Sequence, residues 1–310
     1  MTTPFSYKLR LPVFCAPMFL VSGPELVIAA CKAGVAGAFP TPNTRTTGEL
    51  DAWMDEITRA LGPADAPWVT NLITHSTNTR LADDLRLVTQ YKPPVVITAL
   101  GSPKPVMETV KAYGGLVFAD VVNLKLARKA AEAGVDGMAC ISAGAGGHTG
   151  HLSPFAFISA VREFFDGYLT VGGGISDGAG IAGAIAAGAD FVYMGTRFLP
   201  TVESRAQEAY KLMVLEANAD DLVVSAAVTG TPASWLKPSL AAAGYDAENP
   251  GGPATRDYSG DAAKRWRDIW AAGQGVGRSR AIEPVADVVA ELEREYHAAI
   301  ARFQRVTGTQ

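Results

Sequence analysis

Two of the four histidines, His148 and His151, lie in Gly144-Ala-Gly-Gly-His-Thr-Gly-His151, directly after the apolar run Gly137–Ile141. Glycine tolerates positive φ and lets backbone approach a ligand closely. A neutral imidazole in such a stretch can accept a proton near pH 7. His148 is therefore the candidate general base, set against the reacting end of a bound ligand. The competing reading of the stretch alone is a flexible turn carrying surface histidines. A metal pair is disfavoured, because a catalytic zinc takes three protein ligands and no third stands nearby in the sequence.

The elements that must position this loop follow a repeated local signal. A helical pattern ends in glycine and a short apolar run begins at once, as at Gly34, Gly114, Gly134 and Gly188. Glycine past a helix end supplies a left-handed cap, and the run that follows reads as a buried strand. Eight strands are predicted, near Val13–Pro17, Ala36–Phe39, Trp68–Ile73, Val95–Leu100, Leu116–Asp120, Gly137–Ile141, Leu169–Gly173 and Phe191–Met194. Helices fill the gaps, among them Pro24–Ala33 and Thr47–Leu61, the latter with Thr46 or Thr47 as N-cap. Eight such units make an α/β chain of the (β/α)8 TIM-barrel class. A doubly wound open sheet would need a GxGxxG turn after its first strand, and Ala16-Pro-Met-Phe cannot make one.

After Leu199 the pattern changes. A helix is expected over Glu203–Ala219, and further helices over Lys264–Ala272 and Pro284–Phe303. Between them, Thr229–Asp261 is dense in Pro, Gly, Ala and Asn and too long for a tight connection. Residues 1–204 and 284–310 are read as the barrel, and 205–283 as a small, mainly helical lid. Trp235 and Tyr245, with Leu236 and Tyr258, read as apolar walls of a substrate pocket or as the lid's own core.

At 310 residues with 48% hydrophobic and 19% charged residues, the chain has a globular composition. A net charge of −4 gives no electrostatic reason to bind nucleic acid or an anionic membrane. The three cysteines, Cys15, Cys31 and Cys140, are widely spaced and suit reduced thiols in the cytoplasm. Prolines 12, 17 and 24 interrupt the one stretch with the look of an export signal.

A barrel carries its site at the C-terminal ends of its strands. Those ends supply Ala16 and Met18, Asn71 and His75, Asp120, the His148 loop, Gly172-Gly-Gly-Ile-Ser-Asp177, and Met194-Gly-Thr-Arg197. Glycine-rich backbone at Gly173 and Gly174, leading into a helix N-terminus, reads with Gly195 and Thr196 as a phosphate cradle. His75 reads as a surface residue.

Taken together, Ala16-Pro-Met18, Asn71-Leu, Gly144-Ala-Gly-Gly-His-Thr-Gly150, Gly173-Gly-Ile-Ser-Asp-Gly178 and Gly188-Ala-Asp-Phe-Val-Tyr-Met-Gly-Thr-Arg-Phe198 resemble the nitronate monooxygenase family, in order and spacing, over nearly the whole chain. The resemblance implies a TIM-barrel enzyme with non-covalent FMN. It puts the phosphate on Gly173, Gly174, Gly195 and Thr196, and the flavin ring along Ala16, Met18, Asn71, Ala145 and Gly146. His148 takes the position of the family's catalytic histidine. His151, which begins the exit toward Pro154 and the next helix, reads as a structural residue or as part of the substrate pocket. Two departures touch the flavin environment. Asp120 stands where many members carry a basic residue, and Ile141-Ser-Ala-Gly replaces a common Gln-Gly-Glu-Ala.

The implied reaction is oxidation of an alkyl nitronate, or of a nitroalkane, by O2 to a carbonyl compound and nitrite. Two rivals stand beside it: an FMN-dependent NAD(P)H reductase acting on a quinone or enoyl thioester, and a phosphate-ligand-binding barrel without catalysis. A purine-nucleotide barrel would need a cysteine nucleophile after the sixth strand, where this chain has His148. The expected partners are a small-molecule substrate and O2, with no metal, and the expected state is a monomer or homodimer.

Overall fold

Short apolar runs without alternation become strands covered on both faces. Eight of them close into a parallel barrel in the computed structural model, which describes residues 8–255 and 265–308. In chain order the strands are β1 (Val13–Cys15), β2 (Ala36–Pro40), β3 (Trp68–Ile73), β4 (Val95–Ala99), β5 (Leu116–Val121), β6 (Gly137–Ile141), β7 (Gly147–His148), β8 (Tyr168–Gly172) and β9 (Phe191–Met194). All but β7 belong to the barrel, and β9 returns to β1 through Val13↔Val192 and Cys15↔Met194. The sequence reading of a TIM barrel holds.

The covering helices are α1 (Pro24–Ala33), α2 (Thr47–Ala60), α3 (Leu81–Tyr91), α4 (Lys104–Ala112), α5 (Leu124–Glu132), α6 (Pro154–Arg162) and α7 (Gly178–Ala186). Their ends follow the local chemistry. Gly34 closes α1 in the left-handed conformation at φ 93°. Thr46 and Glu49 form a reciprocal capping box on α2.

Two apolar layers result. One lies between strands and helices; the other fills the barrel with Phe14, Val69, Val95, Ile97, Phe118 and Phe191. Phe14 packs 6.0 Å from Phe118 and 5.1 Å from Phe191, centroid to centroid. This plug fills the barrel interior and leaves the C-terminal mouth for chemistry.

Beyond β9 the chain forms α8 (Glu208–Glu216), β10 (Leu222–Ser225), β11 (Ala233–Leu236), α9 (Lys237–Ala242) and the long α10 (Val285–Thr307). Helix α8 is shorter at both ends than the helix expected over Glu203–Ala219. Ser204 Oγ donates to Leu199 O at 2.6 Å and holds a turn before it, and Asn218 opens a separate capping box with Asp221 behind it. The helix expected over Lys264–Ala272 is cut short as well, because Leu236 N–H takes Trp270 O at 3.0 Å and Ala271 bridges Trp235. Lys264 and Tyr258 lie outside the described residues. To the expected helices the structure adds a three-stranded antiparallel sheet, β10-β11-β7.

Helix α10 packs on α1 and α7. Its approach to α7 needs Gly178, where a Cβ would fall 2.1 Å from Tyr296 N. Arg197, buried after β9, ties the mouth to this helix through Glu291, and to Ser279 at 3.1 Å. Among the described residues no helix is long and apolar enough to cross a membrane.

Candidate active site

The histidine loop is a strand of the β10-β11-β7 sheet. Gly147 turns the chain at φ 65°, after which His148 pairs with Ala233 and Gly147 with Ser234 of β11. Thr149 pins the exit, its N–H on Pro232 O at 3.2 Å and its Oγ1 on Ser142 O at 3.1 Å. The flexible-turn reading therefore gives way to a fixed imidazole. Trp266 meets its ring edge-on, 5.4 Å between centroids at 87°. Among the described residues no charged partner reaches His148, and burial lowers its pKa from the ordinary 6.5. It is a neutral acceptor at neutral pH.

Beside it, three loops converge on the expected cradle. Gly174 N–H and Gln274 N–H both donate to Gly144 O, at 3.0 and 2.8 Å. Gly273 N–H donates to Thr196 Oγ1 at 2.9 Å. Gly173 sits at φ 143°, and a Cβ there would lie 2.5 Å from Ala143 O. The N–H groups of Gly173, Gly195 and Thr196 meet no protein acceptor among the described residues. That set of unpaired donors fits an anion such as a phosphate. The helix N-terminus contributes less than its sequence suggests. Asp177 Oδ1 takes Gly180 N–H at 2.7 Å and Glu295 Oε2 takes Gly178 N–H at 3.0 Å, so carboxylates of the chain already cap α7.

The near wall of the mouth is Ala16 and Met18. A Cβ on Gly195 would touch Met18 Sδ at 3.4 Å and Ala16 Cβ at 3.7 Å, so the three positions are adjacent. Asn43 holds this loop, donating to Met18 O at 3.0 Å and accepting Leu20 N–H at 2.8 Å. On the far side, buried Asn71 donates to Asp120 Oδ2 at 3.4 Å. Ala145 is half-buried and Gly146 exposed, the latter so close to Gly273 N that a Cβ would lie 2.6 Å away.

Other expectations fall elsewhere. Trp235 is fully buried in the lid's core with Val228, Leu240 and Ile269, its Nε1–H on Ser225 O at 3.1 Å, and Tyr245 packs on that core. His151 is exposed ahead of α6, and His75 is half-buried with Nδ1 2.8 Å from Thr77 Oγ1. Among the described residues no group of three or more His, Cys, Asp or Glu side chains could hold a metal ion.

Sequence reasoning missed the clasp that closes the cradle. Tyr210 hydrogen-bonds Ala271 through both its carbonyl and its N–H, Ser234 Oγ donates to Ala272 O at 2.8 Å, and Gly273 and Gln274 then reach Thr196 and Gly144. The glycines of Ala272-Gly-Gln-Gly275 were its visible signal. Trp266, over His148, had none beyond its residue type.

Free backbone donors at the C-terminal mouth of a plugged barrel suit the TIM-barrel class of flavin-dependent oxidoreductases. FabK from Thermotoga maritima shares the architecture, with a TM-score of 0.80 and 25% identity over 96% of each chain. The family model for nitronate monooxygenase matches residues 71–295, and the chain belongs to that family. A nitronate monooxygenase of Paraburkholderia phytofirmans is 28% identical, over 95% of this chain and 94% of its own. A (3aS,4S,5R,7aS)-5-hydroxy-7a-methyl-1-oxo-octahydro-1H-indene-4-carboxyl-CoA dehydrogenase of Mycobacterium tuberculosis is 32% identical, over 74% of this chain and 64% of its own.

Proposed function

We propose that the protein binds FMN and oxidises alkyl nitronates with O2 to a carbonyl compound and nitrite. The observation that carries the reading is His148: a desolvated imidazole, without a charged partner among the described residues, on a strand whose neighbour β11 bonds the Ala272 segment that reaches the donor loops. Family membership and the full-length likeness to a nitronate monooxygenase support it.

Gly173, Gly195 and Thr196 would hold the phosphate through their free N–H groups, with Gly174 shaping the turn. Ala16, Met18, Asn71, Asp120, Ala145 and Gly146 would border the ring. Bound FMN supplies the two-electron chemistry and the reaction with O2. The chain supplies position and proton handling. With a neutral nitroalkane, His148 takes the α-proton on an imidazole nitrogen, and its lowered pKa keeps that nitrogen free at neutral pH. With a preformed nitronate no base is needed, and His148 hydrogen-bonds the nitro oxygens. Trp266 and the pairing with β11 would limit the access of water to the imidazole. Three buried free thiols suit a cytoplasmic enzyme, working as a monomer or homodimer.

The likeness to a CoA-thioester dehydrogenase supports a second reading, redox chemistry on an acyl or enoyl thioester. A steady-state screen of FMN-loaded protein separates the two. Nitrite and carbonyl release from nitronates is expected. Turnover of thioesters or quinones with no nitrite from any nitronate would replace the first reading by the second.

A further inference from the structure

Four polar side chains share one layer of the barrel interior, between the phenylalanine plug and the mouth. Inward positions alternate along a strand. Asn71 therefore follows Val69 on β3, Asp120 follows Phe118 on β5, Thr170 follows Tyr168 on β8, and Tyr193 follows Phe191 on β9. Register ties the layer together, since Asp120 pairs with Ala139 and Ala139 with Thr170. Three of the four hold a buried polar atom with no partner among the described residues: Asp120 Oδ1, Thr170 Oγ1 and the Tyr193 hydroxyl. Asn71 commits its amide N–H to Asp120 Oδ2 and Ile97 O, both at 3.4 Å.

Among the described residues no cation balances Asp120. Desolvation and the Asn71 hydrogen bond are the influences on its carboxyl, and Tyr193 and Cys140 are the titratable groups that feel its charge. A buried carboxylate with one long hydrogen bond and no counter-charge is unfavourable. Protonation removes the charge and creates an O–H donor in a layer of orphaned oxygens.

We propose that Asp120 is a proton-holding site, a carboxylic acid at the floor of the mouth that donates to a ligand with carbonyl or ring-nitrogen acceptors and weakens that ligand's binding once it ionises. Burial pushes its pKa up to about 7, which puts the transition within the working range. The ligand side of this inference rests on the flavin reading; the proton does not.

The test is a flavin-fluorescence titration of the full chain, wild type and Asp120→Asn, with FMN and with riboflavin, from about pH 5.5 to about 8.5. Riboflavin removes the phosphate's own ionisation from the comparison. Wild-type affinity is expected to fall above pH ~7, by up to about tenfold per pH unit, while Asp120→Asn binds evenly across the range. Parallel curves for the two proteins would overturn the coupling. Infrared spectroscopy reads the proton without any flavin. A protonated-carboxyl band is expected in the wild type near pH 6 and absent near pH 8.5. Burial also raises Asp84, which is paired with Arg80 at 3.1 Å, so the band must survive Asp84→Asn. No such band near pH 6, or its loss in Asp84→Asn, would end the proposal even if Asp120→Asn failed to fold. If no flavin binds at all, the flavin reading fails while the band still decides Asp120.

Discussion

Two groups of the candidate site use one physical effect in opposite directions. On the lid side, burial under Trp266 lowers the pKa of His148 and leaves a neutral base. On the floor, burial among uncharged groups raises the pKa of Asp120 and favours a neutral acid. Desolvation penalises whichever form is charged, so a cationic acid and an anionic base both lose their charge. The two differ in what holds them. His148 depends on a strand pairing with β11 and on an aromatic cover, both supplied by the lid. Asp120 stands on a barrel strand, set by the register of β5 and β6. The lid side should therefore respond to changes far along the chain, and the floor should not.

The largest effect expected from breaking this contrast is at the base itself. His148→Asn should retain FMN and lose turnover of neutral nitroalkanes by about 10²–10⁴-fold, with a smaller loss on nitronates. Unchanged nitroalkane kinetics would remove His148 from the reaction. The next concerns the cradle between the two sides. Gly173→Val puts a side chain at φ 143° against Ala143 O, and strain of about 1–3 kcal/mol should weaken FMN binding by about 10–100-fold, read by fluorescence quenching.

Two smaller changes sharpen the lid's part. Trp266→Ala lets water reach His148, so its pKa should rise toward the ordinary 6.5. The base works only when neutral, and the acid limb of the kcat/KM profile for a nitroalkane should then move to higher pH. The lost ring contact should also lower kcat/KM several-fold, consistent with about 0.5–1.5 kcal/mol for an aromatic pair. An acid limb that stays in place would mean that Trp266 does not set the pKa. Tyr210→Phe loses the hydroxyl that holds Ala271, worth about 0.5–1.5 kcal/mol. A melting temperature lower by about 1–3 °C and FMN affinity weaker by a few-fold are expected. No change in either would separate the clasp from the cradle.

The same contrast explains what the sequence could show. Barrel strands such as Trp68–Ile73 and Gly137–Ile141 were readable to the residue, because a run buried on both faces and a glycine cap are local signals. The strand ends then gave the candidate site its order, from Ala16 and Met18 to Gly195 and Thr196. The lid was not readable in this way. The two-residue strand Gly147–His148 exists only because β11 pairs with it from far along the chain. Tertiary hydrogen bonds shortened two expected helices, and Trp235 entered a core that apolar character alone could not distinguish from a pocket wall. Asp120 was visible as a departure from the family pattern; its orphaned oxygen was not, since that depends on which strands face it.

The most direct test of the nitronate reading is anaerobic mixing of FMN-loaded protein with an alkyl nitronate, and separately with NADH or NADPH, while following flavin absorbance. Bleaching by the nitronate with little response to the nicotinamides is expected. Bleaching by NADH or NADPH, with the flavin unchanged by every nitronate, would contradict the assignment and make the protein a reductase.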